Sequence, residues 1–152
     1  MSSFGFYQLM TRSLDSVVPR LLEKVLAAGH RVLLVGDDRA VLTRLDVALW
    51  SFSPASFLPH ALAGEDGAVD DADAQKILLA GAAVNLNGAD VLMLVGGALP
   101  DNAGDFARVL VMFDGNDAAA LGAARDQWRA LGEGSHTRVY WKESASGWEK
   151  AG

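Results

Sequence analysis

With 152 residues, 51% of them apolar and 21% charged, the chain can bury one core and is too short for two ordinary domains. It has no cysteine, which excludes disulfides and thiolate metal sites and fits a reducing compartment. Its net charge of −6 is uneven: residues 1–64 carry six basic and five acidic side chains, residues 65–117 two and ten, and residues 118–152 five and four, giving +1, −8 and +1. Nucleic acid is gripped by dense basic surface, which this chain lacks outside a small patch in its last third.

The first residues carry neither the basic start nor the apolar run of a signal peptide, and no stretch reaches the ~18 apolar residues of a membrane span. A cytoplasmic protein without membrane contact is expected. Phe4 to Met10 is short, aromatic and apolar, and suits a first strand. Between Ser13 and Gly29, Leu14, Val17, Val18, Leu21, Leu22, Val25 and Leu26 recur at helical spacing, with Ser13 as cap and Gly29 as stop. Arg31 to Val35 reads as a strand buried on both faces. Gly36, Asp37 and Asp38 then lead into a helix from Arg39 to Trp50, capped by one of the two aspartates.

A segment with Trp50, Phe52 and Phe57, stiffened by Pro54 and Pro59, follows, and after it comes an exposed acidic loop from Gly64 to Ala74. Lys76 to Ala80, Ala89 to Val95 and Arg108 to Phe113 are further strands. Ala118 to Leu131 is a helix, and Thr137 to Lys142 a last strand with one wet face. Alternating strands and helices with buried strand runs predict one α/β domain over residues 1–142, a mostly parallel sheet covered by helices on both faces, and a flexible tail over 143–152.

Sheets of this kind often hold nucleotides at the carboxyl ends of their strands. The phosphate loop that this needs is missing: there is no G-x-x-x-x-G-K-[ST] and no G-x-G-x-x-G, and the turn after the second strand offers two carboxylates where phosphate would sit. His60, Glu65, Asp70 and Asp71 match no metal-ligand spacing, and no G-x-S-x-G nucleophile elbow is present. No catalytic residue, metal or cofactor is expected.

Two places remain where aromatic side chains meet loops or charges. Trp50, Phe52 and Phe57 either close the edge of the core or, with Pro54 and Pro59 stiffening the segment, form a surface for another protein. Arg125, Trp128 and Arg129, spaced i, i+3, i+4, are expected on one helix face, where two guanidinium groups can fork onto a carboxylate beside an indole. The plain alternative is a solvated face with Trp128 half-buried. Arg138 and Lys142 alternate with Tyr140 on the next strand, and either enlarge this patch or lie on the far side.

The run Arg44-Leu45-Asp46-x-Ala48-Leu49-Trp50, then Pro54-x-Ser56-Phe57-x-Pro59-His60, then Leu62-Ala63-Gly64-Glu65, resembles the chi-subunit family of bacterial DNA polymerase III. Arg125-x-x-Trp128-Arg129 supports the resemblance, which extends over nearly the whole chain. It implies a noncatalytic accessory subunit with a Rossmann-like fold and no nucleotide site. Through the psi subunit, members of that family join the clamp-loader assembly to single-stranded DNA-binding protein, whose acidic C-terminal tail ends in an aromatic residue with a free carboxylate. On that resemblance Trp50, Phe57 and Pro59 face psi or a helicase, Arg125, Trp128 and Arg129 receive the tail, and contact with nucleic acid is indirect. Leu121 stands where some members carry a lysine, so weaker or more salt-sensitive tail binding is expected. The competing readings are an adaptor for a repair helicase alone, and a small nucleotide-binding α/β enzyme.

Overall fold

The computed structural model describes residues 2–52, 58–132, 134 and 136–152, and among these described residues are eight strands, three α-helices and two short 3-10 turns. In order, the strands and α-helices are β1 (Ser3–Leu9), α1 (Leu14–Ala27), β2 (Val32–Val35), α2 (Arg39–Ser51), β3 (His60–Leu62), β4 (Ile77–Ala80), β5 (Val91–Leu94), β6 (Arg108–Asp114), α3 (Ala118–Leu131), β7 (Thr137–Ser144) and β8 (Gly147–Lys150). One sheet runs β3-β4-β2-β5-β6-β1-β7-β8, parallel throughout except for the final antiparallel pair.

The uninterrupted apolar strands follow from a sheet covered twice. In β2, Val32 and Leu34 face the helix pair α1 and α2, while Leu33 and Val35 face the α3 side. β4, β5 and β6 repeat the alternation, so neither face tolerates polar residues there. α1 contributes Val17, Val18, Leu22 and Val25 and α2 contributes Leu42, Leu45 and Leu49 to one layer. Ala124 of α3, with Trp128 and Leu131 packed beside it, completes the other.

Several local readings differ from the sequence expectation. Pro19 lies inside α1 and is buried. Its ring removes a donor from the helix ladder, and the helix continues because this face is held by the sheet. Asp38 is the aspartate that caps α2, accepting the Ala40 N–H at 2.9 Å. β3 was read as part of the aromatic segment, yet His60, Ala61 and Leu62 pair parallel with Ile77, Leu78 and Leu79 at the sheet's edge. The expected boundary at residue 142 falls inside β7. Residues beyond it form the end of β7 and β8, with Glu143 opposite Trp148 in the antiparallel pair.

Candidate functional site

The carboxyl ends of β1 and β6 are where α1 and α3 depart on opposite faces, the crevice in which such sheets place ligands. A cleft of about 340 Å³ opens there, with Met10, Thr11, Arg12, Arg44, Asp114 and Asn116 in its lining. Three successive backbone N–H groups, those of Met10, Thr11 and Arg12, converge as they would on an anion. The anion they meet is the chain's own: Glu143 Oε1 accepts them at 2.8, 2.9 and 3.2 Å. Its Oε2 takes the Thr11 hydroxyl at 3.1 Å and Arg12 Nε at 2.6 Å. Burial by itself raises the Glu143 pKa, and the donors from Met10, Arg12 and Thr11 outweigh it, so the carboxyl is pulled down to about 2. Asp117 caps α3 by accepting the Ala119 and Ala120 N–H groups, so this helix start is also satisfied by a carboxylate.

The first sequence-predicted surface lies at the opposite side of the α1–α2 layer. α2 turns Leu42, Leu45 and Leu49 inward, which sends Trp50 outward at 58% exposed, with Val47 beside it at 59%. Three residues apart, these two form a single exposed apolar patch, and Val47 is the member that sequence reasoning did not name. Pro59 is half-buried between Leu58, which belongs to the core, and β3. Phe57 lies outside the described residues. Trp50 packs against His60, ring centroids 4.4 Å apart and planes at 46°.

The second surface is built on α3 and β7. Arg125, Trp128 and Arg129 occupy neighbouring rows of α3, with Trp128 half-buried and both arginines exposed. Trp128 continues the core row of Ala124, and its indole meets Phe6 and Tyr140 edge-on, at 5.7 Å in each case. Arg125 and Arg129 form the next row, exposed to solvent, with Arg129 Nη1 3.2 Å from Asp126 Oδ1. Leu121 packs on the same core layer as Trp128.

Arg138, left open by the sequence, belongs to this patch. Its guanidinium lies over the Trp128 ring, 4.1 Å from the centroid, and donates through Nη1 to the Trp128 carbonyl. Gly132 makes the approach possible, since a Cβ there would come within 2.9 Å of Arg138 Cζ. Burial pushes the Tyr140 phenol up, with Arg125 pulling the other way, and its hydroxyl donates to Gln8 Oε1. The Tyr140 N–H donates to the Gly152 carbonyl at 3.2 Å, which brings the last residues alongside the indole. Trp128 thus has the Arg138 guanidinium stacked on its ring, with Arg125 and Arg129 exposed on the adjoining row of α3.

Among the described residues no group of three or more His, Asp or Glu side chains is arranged to hold a metal, and no helix is long and apolar enough to cross a membrane. The architecture resembles that of the C-terminal domain of the DEAD-box protein Dbp5, with a TM-score of 0.56 over 91% of this chain and 90% of that one; at 11% identity this likeness concerns the fold alone. DNA polymerase III subunit chi of Pseudomonas aeruginosa is 46% identical over 50 residues, a stretch that is 33% of this chain and 35% of that protein. The corresponding subunit of Escherichia coli K12 is 50% identical over 38 residues, 25% of this chain and 26% of that protein. The aligned stretches therefore span about a third and a quarter of these curated relatives. The family model described as DNA polymerase III chi subunit, HolC, matches residues 1–137, and the chain belongs to that family.

Proposed function

We propose that the protein is a noncatalytic adaptor of the replicative polymerase, linking the clamp-loader assembly to the acidic C-terminal tail of single-stranded DNA-binding protein. The observation that carries this reading is Trp128 with Arg138 stacked on its ring and with Arg125 and Arg129 exposed on the adjoining row of α3. A tail ending in an aromatic residue needs an apolar or aromatic wall for its ring and forked donors for its carboxylate. The indole edge supplies the wall, and Arg125 and Arg129 supply exposed donors. Arg138 is already engaged with the indole and its carbonyl, and so holds the wall in place.

The Trp50 and Val47 patch, with the half-buried Pro59, is the second docking surface; Phe57, assigned to it by the resemblance, lies outside the described residues. This surface receives the psi subunit or a helicase that takes its place. Each contact can be weak, because many tails on one coated strand and a tethered polymerase raise the effective concentration. The −8 balance of residues 65–117 favours indirect contact with DNA. The nucleotide-enzyme reading is opposed by Glu143, whose carboxylate already fills the N–H nest at the sheet's crevice.

Calorimetric titration with a synthetic acidic tail peptide ending in phenylalanine, at low and moderate salt, tests the reading. Binding that requires the terminal phenylalanine, weakens with salt and vanishes in Arg129→Ala is expected. Absence of binding at low salt overturns the tail contact.

A further inference from the structure

The exposed large apolar side chains among the described residues fall into two pairs. Val47 and Trp50 on α2 are one. Val84, 58% exposed, and Leu86, 42% exposed, in the segment after β4, are the other, and no docking role has claimed them. α3 packs on β6 and β1, which β2 and β5 separate from β4. At the carboxyl ends of β3 and β4 the same sheet face carries a groove of about 450 Å³. Leu78 and Ala80 of β4 form its floor. The segment after β3, with Glu65 and Asp66, makes one wall, and the segment after β4, with Val84 and Leu86, makes the other. The apolar wall is fixed before any partner arrives: Asn102 Nδ2 donates to the Ala83 carbonyl at 2.8 Å, and Asn85 exchanges two hydrogen bonds with Ala89, at 2.8 and 2.9 Å. The acidic wall is closed by the Ala68 N–H on Asp66 Oδ1 and the Gly64 N–H on the Ala68 carbonyl. Walls ordered in advance spare a partner the entropy of ordering them.

We propose that this groove docks a basic segment of a partner protein, whose apolar side chains settle against Val84 and Leu86 while flanking lysine or arginine groups meet Glu65 and Asp66. The charge around the groove has one dominant sign. Glu65 and Asp66 are exposed in its lining, and Asp70, Asp71 and Asp73 follow on the same loop, also exposed. Arg39 reaches this end of β3 from α2 and donates to the Ala63 carbonyl at 2.6 Å, whereas Lys76 stands at the amino end of β4. Such a field attracts a cationic segment and turns away an acidic tail, nucleic acid or an anionic lipid surface, so the occupant differs from the ligand proposed for Arg125 and Arg129. The groove is also no extension of the Trp50 patch, because Leu78 and Ala80 belong to the sheet face opposite the layer that α2 covers. An exposed apolar pair beside a hollow of this size is the usual mark of a docking place for protein.

The test is made on the full chain, labelled with ¹⁵N and titrated with a blocked lysine–leucine–lysine–leucine–lysine peptide. Two control peptides carry serine in place of leucine, or glutamate in place of lysine. The amide signals of residues 63–67 and 80–86 are expected to move with the first peptide and to stay still with both controls. Val84→Ser removes half-exposed apolar surface and is expected to weaken binding about tenfold. Glu65→Lys reverses one charge of the rim and is expected to weaken it about fivefold. Both substitutions are on exposed side chains, and if one of them disturbs the fold the other decides. Signals that move around Val47 and Trp50 instead overturn the proposal. Equal binding of the serine peptide, which marks general attraction to the acidic surface, overturns it too, as does the absence of any shift at millimolar peptide. The tail contact at Arg129 and the docking role of Trp50 stand or fall separately, since neither wall of the groove contains those residues.

Discussion

Arg12 and Glu143 meet through Nε and Oε2 at 2.6 Å, with the Glu143 side chain 2% exposed and that of Arg12 37% exposed. The same carboxylate closes the nest formed by the N–H groups of Met10, Thr11 and Arg12. One side chain from β7 thereby ties down the β1–α1 loop and occupies the N–H nest beside the crevice. Arg12 also lies over the Trp148 ring, 5.6 Å from its centroid, so β8 helps to hold the clamp.

Replacing Glu143 by glutamine is expected to lower stability by about 3 kcal/mol, the low end for removing one partner of a buried pair, because Arg12 can rehydrate. Chemical denaturation of the two proteins measures it. A difference below about 0.5 kcal/mol would show that the nest finds equivalent partners elsewhere.

The same clamp sets an acid limit. The Glu143 carboxyl is held down to about 2 from an ordinary 4.5, so its contribution is fully present above about 4.5 and is lost as the pH falls through that interval. Denaturation midpoints of the wild type should drop between those values. In Glu143→Gln this component of the drop should be missing, so that the two curves converge at the acid end.

Trp50→Ala should separate docking from folding. With Trp50 58% exposed, the truncation is expected to cost about 1 kcal/mol or less in stability, the contact with His60 included. Co-purification with polymerase III subunits should be lost. Val47→Asp, one turn earlier on the same exposed strip, should reproduce that loss without a change in melting temperature. Retained co-purification in both variants would move the docking surface elsewhere.

The layout of the sheet was legible because burial on both faces leaves strands such as Leu92 and Leu94 no polar alternation, and helices such as α1 keep an unbroken apolar row. β3 was not, since three residues at an edge give too short a run to show a period. β8 was missed for a different reason: Gly147, Glu149 and Lys150 look like a solvated tail until Trp148 is seen to pack against Tyr7 at 5.4 Å. At the α3 surface, helical spacing put Arg125, Trp128 and Arg129 close together and left the depth of Trp128 open. It could not show that Phe6, from the other end of the chain, meets the Trp128 indole edge-on and draws it into the core row.

Arg129 and Arg138 are both arginines beside Trp128, and their substitutions should have opposite signatures. Arg129 is 73% exposed and its pairing with Asp126 is a surface contact, so Arg129→Ala should change stability by no more than about 0.5 kcal/mol while abolishing tail-peptide binding. Arg138 stacks on the indole and donates to its carbonyl, and losing both contacts in Arg138→Ala should cost about 2 kcal/mol. Arg138→Lys keeps the charge and loses the planar stack, so it should recover only part of that stability. The tryptophan emission spectrum should shift in the two Arg138 variants and stay unchanged in Arg129→Ala. Melting curves with peptide calorimetry on the three proteins check the pattern. Equal losses of stability and binding at both positions would mean that Arg129, too, acts by holding the indole and not by meeting the tail.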